Sequence, residues 1–289
     1  MTFPIPVTWG AALPAPAKIN LFLHVVGRRP DGYHLLQTAF RLLDRSDILR
    51  FQPREDDLVR LARPLPGVPE DMDLCVRAAR LLQAESGTRQ GVTIDLDKRL
   101  PMGGGLGGGS SDAATVLLAL NRLWDLSLPR RRLRELGLSL GADVPFFIFG
   151  ESAFAEGVGE DLQPLALPPA WYLVVEPPVS VPTAEIFSDE GLTRNTEILR
   201  MPTFPAAGNG QIGRNDLEPV ACKRYPQVAM ALEWLAQHGE ARMSGSGACV
   251  FAGFCSEDEA KGALAHAPSG WKAWVAQGLD KHPLYRCAG

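Results

Sequence analysis

The stretch PMGGGLGGGSSDAATVLLALN, residues 101–121, holds six glycines in seven positions, with Leu106 the one side chain among them. Ser110, Ser111 and Asp112 follow. Then Ala113, Val116, Leu117, Leu120 and Leu123 or Trp124 recur at helical spacing. Upstream, GVTIDLDKRL alternates, with Val92, Ile94 and Leu96 on one face. The run therefore joins a strand to a helix, and Ser110 or Ser111 is expected at the helix cap. Ordering so many glycines costs backbone entropy. What offsets it is φ > 0 geometry, or an approach of bare backbone to something bulky. Successive amides without side chains make an anion-binding concavity. The helix start adds free N–H groups and a partial positive charge.

Two better-known glycine loops fit poorly. Gly103, Gly105 and Gly108 satisfy G-x-G-x-x-G, but a dinucleotide site needs an acidic residue ending the next strand. The nearest candidate, Asp125, ends the same helix. Gly104 to Gly109 has Walker A spacing, yet Ser110 stands where that loop needs lysine. A different phosphate cradle fits best, against the plainer reading of a glycine turn that binds nothing.

The rest of the chain sets the frame. Its 289 residues suit one large domain or two ordinary ones, and 46% hydrophobic with 21% charged residues is an ordinary globular balance. A net charge of -4 gives no general attraction to nucleic acid or an anionic membrane. The five cysteines show no CxxC spacing, and no apolar run approaches a membrane span. A cytoplasmic, reducing compartment is expected. KINLFLHVV alternates as a strand, with Ile19, Leu21, Leu23 and Val25 opposite Asn20, Phe22, His24 and Val26. Pro30-Asp31-Gly32 marks a turn. DILRF, WYLVVEP and WKAWVAQGL read as strands. ARMSGSGACVFAGF reads as two strands around a Gly-Ser-Gly turn. Helices are expected over DMDLCVRAARLLQAES, capped by Asp71 or Asp73 and stopped by Gly87, and over LEPVACKRYPQVAMALEWLAQHG and SEDEAKGALAHA. Residues 190–214 read as a long loop. Arg130, Arg131, Arg132 and Arg134 read as a solvated helix start. Strands and helices mix without strict alternation, so the fold class is α+β. A boundary is expected near residue 160, giving domains 1–160 and 161–289.

PMGGGLGGGSSDAA resembles the phosphate-binding motif of the GHMP kinase superfamily. PAPAKINLFLHVVGRRPDGYHLLQT, LSLGADVPFF and MSGSGACVFAGF are similar to one branch of it, over nearly the whole chain from about Pro14 to Leu284. That branch phosphorylates a cytidine-diphosphate-linked polyol in non-mevalonate isoprenoid synthesis. The resemblance implies a two-domain kinase with its active site in the interdomain cleft, using ATP and Mg2+ on a small-molecule substrate. Homoserine- or mevalonate-type kinases, and a nucleotide sensor without turnover, are the alternatives. The Asp-Gly-Tyr-His segment speaks against the first two, and paired catalytic groups against the third.

Roles carried by the resemblance fall on specific positions. Phosphoryl transfer asks the protein to position groups and stabilise charge. Asp143 matches the residue that orients the attacking hydroxyl and takes its proton. An aspartate suffices, because proton loss need not precede attack. Capping a helix is its plainer role. Pro145 is expected to hold Val144 extended. Lys18 matches the cation that favours alkoxide character, and only six of the 29 Lys and Arg residues are lysine. Asn20, two residues on along the same strand face, is expected to bond Lys18 or the substrate. ATP is assigned to Lys98, Pro101, Met102, Gly103, Gly104, Gly105, Leu106, Gly107, Gly108, Gly109, Ser110 and Ser111, with Lys98 near adenine. Asp73 stands where asparagine is common. Tyr33 and His34 match a cytosine-reading pair and Phe187 the ring on the other face, with Thr183 nearby. Gly245, Ser246 and Gly247 are expected to close over the diphosphate. No set of magnesium ligands stands out, and Ser110 or Ser111 is the candidate.

Overall fold

The structure is a computed structural model that describes residues 5–200 and 213–287. In chain order the elements are β1 (Leu13–Arg28), β2 (His34–Arg54), β3 (Val59–Leu61), α1 (Leu74–Ser86), β4 (Gly91–Asp97), α2 (Gly108–Leu123), α3 (Arg130–Leu138), α4 (Val144–Phe149), β5 (Ala153–Glu156), β6 (Asp161–Pro164), β7 (Trp171–Glu176), α5 (Thr183–Ser188), α6 (Glu218–Arg224), α7 (Pro226–Leu235), β8 (Ala241–Met243), β9 (Val250–Phe254), α8 (Glu257–Leu264) and β10 (Lys272–Leu279). Residues 190–200 of the expected loop are irregular, and 201–212 lie outside the described residues. No helix among the described residues is long and apolar enough to cross a membrane.

The strands hydrogen-bond in the order β3-β4-β2-β10-β7-β9-β8, with β1 and β5 also on β2. β2 is the organising strand. Its junction with β10 rests on two residue pairs, Leu42 with Leu279 and Leu43 with Gly278. On one side of it, α1, α2 and α4 bury Val76, Leu82, Val116, Leu117 and Phe146 against Leu49 and Ile94. On the other, Leu173, Val250, Ala231 and Leu235 form a second core. The far end of β1, Leu23 and Val25, belongs to that second core. β1 therefore crosses from one half to the other, which places residues near its middle at the junction.

Local signals account for the elements read correctly. Asp73 caps α1, its Oδ1 accepting from the amides of Cys75 (2.8 Å) and Val76 (3.3 Å), and Gly87 ends it at φ 69°. Ser256 caps α8 by accepting from the Glu259 amide. The Pro-Asp-Gly turn links β1 to β2, with Gly32 donating to the Arg29 carbonyl at 3.0 Å. The arginine-rich start of α3 is solvated, with Arg132 paired to Glu85 and Glu135.

Four expectations fail for physical reasons. The alternation of β1 is broken by a bulge at Leu21: Asn20 pairs with Phe40, but Phe22 pairs with Ala39 and Leu23 with Thr38. After the bulge Leu23 shares the face of Lys18 and Asn20, while Phe22 joins Ile19 in the core. The cap of α2 is Gly107 at φ 70°, with no side-chain bond, and Ser110 and Ser111 lie inside the first turn. Val144 is helical rather than extended, because Pro145 sits in the first turn of α4, where its missing N–H is not needed. The helix expected over 217–239 divides at Tyr225–Pro226 into α6 and α7, since proline cannot donate within a helix.

Candidate active site

One cavity of about 620 Å³ opens between the glycine loop, β1, α4, α5 and the β8–β9 turn. Its lining includes Lys18, Asn20, Lys98, Pro101, Met102, Gly103, Gly104, Gly105, Gly107, Gly108, Gly109, Ser110, Asp143, Thr183, Phe187, Gly245, Ser246 and Gly247. Residues distant in sequence thus meet on one surface. Four expected site residues do not line it. Leu106 turns its side chain into the core, while its carbonyl accepts from the Lys18 amide at 2.9 Å. Ser111 is fully buried and its hydroxyl has no hydrogen-bond partner among the described residues. Tyr33 is 65% exposed beside the β1–β2 turn. His34 stands next to the cavity, its ring 5.0 Å from that of Phe187.

The glycine loop is shaped by what presses on it. A Cβ at Gly105 (φ 74°) would sit 2.0 Å from the Ser244 carbonyl oxygen. At Gly107 it would come within 2.9 Å of the Phe147 ring. The β8–β9 turn is docked onto this loop. Ser244 Oγ donates to the Gly105 carbonyl at 2.9 Å, and the Cys249 amide donates to that of Gly104 at 3.1 Å. Asn215 Nδ2 holds the turn from behind through the Met243 and Gly245 carbonyls, both at 2.8 Å. Because α2 carries no side-chain cap, its first amides are left to the cavity, where the positive end of a helix 16 residues long also points. That arrangement suits a phosphate group.

Across the cavity, Lys18 is 3% exposed. Its ammonium donates to Asn20 Oδ1 at 2.6 Å and lies 3.4 Å from Asp143 Oδ2. Asn20 Nδ2 donates to Thr38 Oγ1 at 2.9 Å, and Thr38 donates to the Phe22 carbonyl. Thr38 thereby fixes which end of the Asn20 amide faces Lys18. The Asp143 carboxylate makes no capping bond to α4 and is 34% exposed. A cation and a carboxylate side by side, facing free amides, can orient and deprotonate a hydroxyl opposite a phosphate.

Under the loop lies a second charged group. Lys98 Nζ bonds Asp47 Oδ2 at 2.5 Å and Asp112 Oδ2 at 2.7 Å. Asp47 Oδ1 also accepts from the Arg99 and Leu100 amides. Lys98 thus lines the cavity beneath Gly108 with its ammonium held by both carboxylates. Burial pushes the Asp112 carboxyl up to about 8, against the pull of Lys98 and with the help of neighbouring Asp47. Burial sets the direction, and the Asp47 charge adds to it. The two carboxylates also outweigh burial at Lys98 and raise it. At the rim, Thr183 Oγ1 and Ser246 Oγ are 2.7 Å apart, linking α5 to the β8–β9 turn.

Reading the chain missed Thr38, Asp47, Asp112 and Ser244. Asp112 is an acid in an otherwise apolar helix face, a visible signal of a buried partner. Ser244 stands inside a motif already singled out. Thr38 and Asp47 carry no local signal, since their roles come from contacts made across the fold. As for magnesium, no group of three or more His, Cys, Asp or Glu among the described residues could hold a metal. The donor set fits an ion carried by phosphates with few protein ligands. Of the two candidate serines, Ser110 lines the cavity and Ser111 does not.

The domain family described as GHMP kinases N terminal domain matches residues 73–151, and GHMP kinases C terminal matches 205–273. A 4-diphosphocytidyl-2-C-methyl-D-erythritol kinase of Thiobacillus denitrificans (strain ATCC 25259 / T1) is 63% identical over 274 residues, covering 95% of this chain and 97% of that one. Another, from Nitrosospira multiformis (strain ATCC 25196 / NCIMB 11849 / C 71), is 62% identical over 275 residues, covering 94% and 92%. A crystal structure of 4-(cytidine 5'-diphospho)-2C-methyl-D-erythritol kinase superposes with TM-score 0.79 at 36% identity, covering 93% of this chain and 99% of that one. Methanococcus jannaschii mevalonate kinase shares the fold alone, with TM-score 0.65 at 13% identity over 95% of this chain and all of that one (100%).

Proposed function

We propose a mechanism from one premise: this chain belongs to the 4-diphosphocytidyl-2-C-methyl-D-erythritol kinases, within the GHMP kinase family. It transfers the γ-phosphoryl group of ATP to the 2-hydroxyl of 4-diphosphocytidyl-2-C-methyl-D-erythritol, in non-mevalonate isoprenoid precursor synthesis. The halves 1–160 and 161–289 form the walls of the cleft.

The triphosphate lies on the amides of Gly103 to Ser110. Asp143 orients the 2-hydroxyl and accepts its proton as the bond to phosphorus forms. Lys18 stabilises the developing alkoxide, held in place by Asn20 and Thr38. Because the transition state is loose, fixing the acceptor in line contributes more than removing its proton early. Magnesium, when bound, neutralises phosphate charge, and Ser110 would reach it. Tyr33, His34 and Phe187 take the cytosine end, while Thr183 and Ser246, in contact with each other on the 161–289 wall, close over the diphosphate.

One observation supports this most: the Lys18–Asp143 pair at 3.4 Å shares a cavity with an uncapped helix start. Coupled ADP release by the purified protein tests it. Turnover with the cytidylylated methylerythritol, and none with mevalonate or homoserine, is the expected outcome. The reverse pattern would refute it.

A further inference from the structure

Arg194 follows α5 on the irregular segment and has no assigned part in the chemistry. Its side chain is nevertheless tightly held. Nη2 donates to the carbonyls of Phe187 (3.1 Å) and Asp189 (2.7 Å), and Nη1 to that of Leu192 (3.1 Å). These bonds fix the guanidinium plane, and Nε then donates to His34 Nε2 at 3.2 Å. A guanidinium has donors and no acceptor. The ring nitrogen facing it must therefore carry the lone pair. A neutral imidazole has one N–H, which is left on Nδ1. Burial disfavours the imidazolium first, and Arg194 and then Arg28 of β1 disfavour it further. The same guanidinium grips the backbone of Phe187, whose ring packs on His34. One side chain thus sets both the ring pair and the position of a proton.

We propose that Arg194 is a positioning residue for base recognition: it holds His34 as the neutral Nδ1–H tautomer, so that the site offers a donor to the base edge. This rests on the reading that the cleft takes a cytidine diphosphate. A donor at that point accepts a pyrimidine whose N3 carries a lone pair, as in cytosine. Uracil presents a protonated N3 and leaves two donors opposed. The O2 carbonyl is common to both bases and does not discriminate. Arg194 therefore contributes to selecting cytidine over uridine without touching the base.

Nitrogen-15 NMR of histidine-labelled full-length protein tests the tautomer without any ligand, with His34 identified by its loss in His34→Gln. The expected spectrum has Nδ1 protonated and Nε2 bare, with a titration midpoint below the ordinary 6.5. In Arg194→Gln the Nε2–H tautomer appears and the midpoint rises. Calorimetry with CMP and UMP then reads recognition. Wild type prefers CMP, and Arg194→Gln narrows that preference by about tenfold, the size of one lost hydrogen bond. Affinity for an ATP analogue stays unchanged. Arg194→Lys, which keeps the cation but not the fork, falls between. A wild-type His34 protonated at Nε2 overturns the proposal, and so does an Arg194→Gln protein with wild-type tautomer and CMP preference. If wild type shows the Nδ1–H form yet binds no CMP, the cytidine reading fails and the recognition role with it, while the hold on His34 stands.

Discussion

The two ends of the cleft are built differently. At the glycine loop, the parts are locked by backbone. Lys18 donates its amide to Leu106, Ser244 and Cys249 bond the loop carbonyls, and a Cβ at Gly105 has no room. At the other end, Tyr33 is largely exposed, and His34 and Phe187 are held by one arginine from an irregular segment. The difference follows from what each end must do. Transfer of a phosphoryl group needs donors and a base fixed before the substrate arrives. Recognition of a base needs surfaces that admit a large ligand and close on it, which side chains on loops can supply.

The sharpest break of this contrast is Asp143→Asn. Loss of the proton acceptor should lower kcat by about 10²- to 10⁴-fold, with the affinity for an ATP analogue nearly unchanged. Steady-state ADP release checks it, and near-normal kcat would remove Asp143 from the chemistry. Next comes Gly105→Ala. A methyl group 2.0 Å from the Ser244 carbonyl, at φ 74°, forces the β8–β9 turn off the loop. The cost should be about 3 kcal/mol in denaturant unfolding, with weakened nucleotide binding. Gly109→Ala is the control, since a Cβ there meets only Leu74 at 3.4 Å. It should leave unfolding within about 0.5 kcal/mol.

Phe187→Ala probes the other end. Its ring should be worth about 1 to 3 kcal/mol of CMP binding, measured by calorimetry, with kcat at saturating substrate changed by less than about threefold. A large fall in kcat would show that the two ends are not separable. The last test concerns the charges under the loop. The Asp112 carboxyl is raised by burial to about 8 from an ordinary 3.8, so the folded protein holds this proton more tightly than the unfolded chain. Its stability contribution is complete below the ordinary value and is lost as pH rises toward 8. Asp112→Asn should therefore gain thermal stability relative to wild type across that window. A difference independent of pH would show that Lys98 keeps Asp112 ionised throughout.

The locked end was also the more legible one in the amino-acid chain. A glycine run between a strand pattern and a helix pattern, with Lys18 and Asn20 on one strand face, is a local signal. What local patterns missed there was register. The bulge at Leu21 depends on how β1 meets β2, and no periodicity within β1 reveals it. The serine cap failed because Gly107, free to adopt φ 70°, starts the helix earlier and leaves its amides open. The recognition end was legible only as the PDGYH turn and a distant VPTAEIF. Arg194 could not be read in advance, because its meaning comes from three carbonyls and one ring nitrogen gathered by the fold.

A structure with a non-hydrolysable ATP analogue and the cytidylylated methylerythritol bound together tests the central claim most directly. The account predicts the terminal phosphates within hydrogen-bond distance of the amides of residues 103–110, and the 2-hydroxyl touching Asp143 on the side of Lys18. A triphosphate seated elsewhere, or an acceptor oxygen beyond the reach of Asp143 through one water, would contradict it.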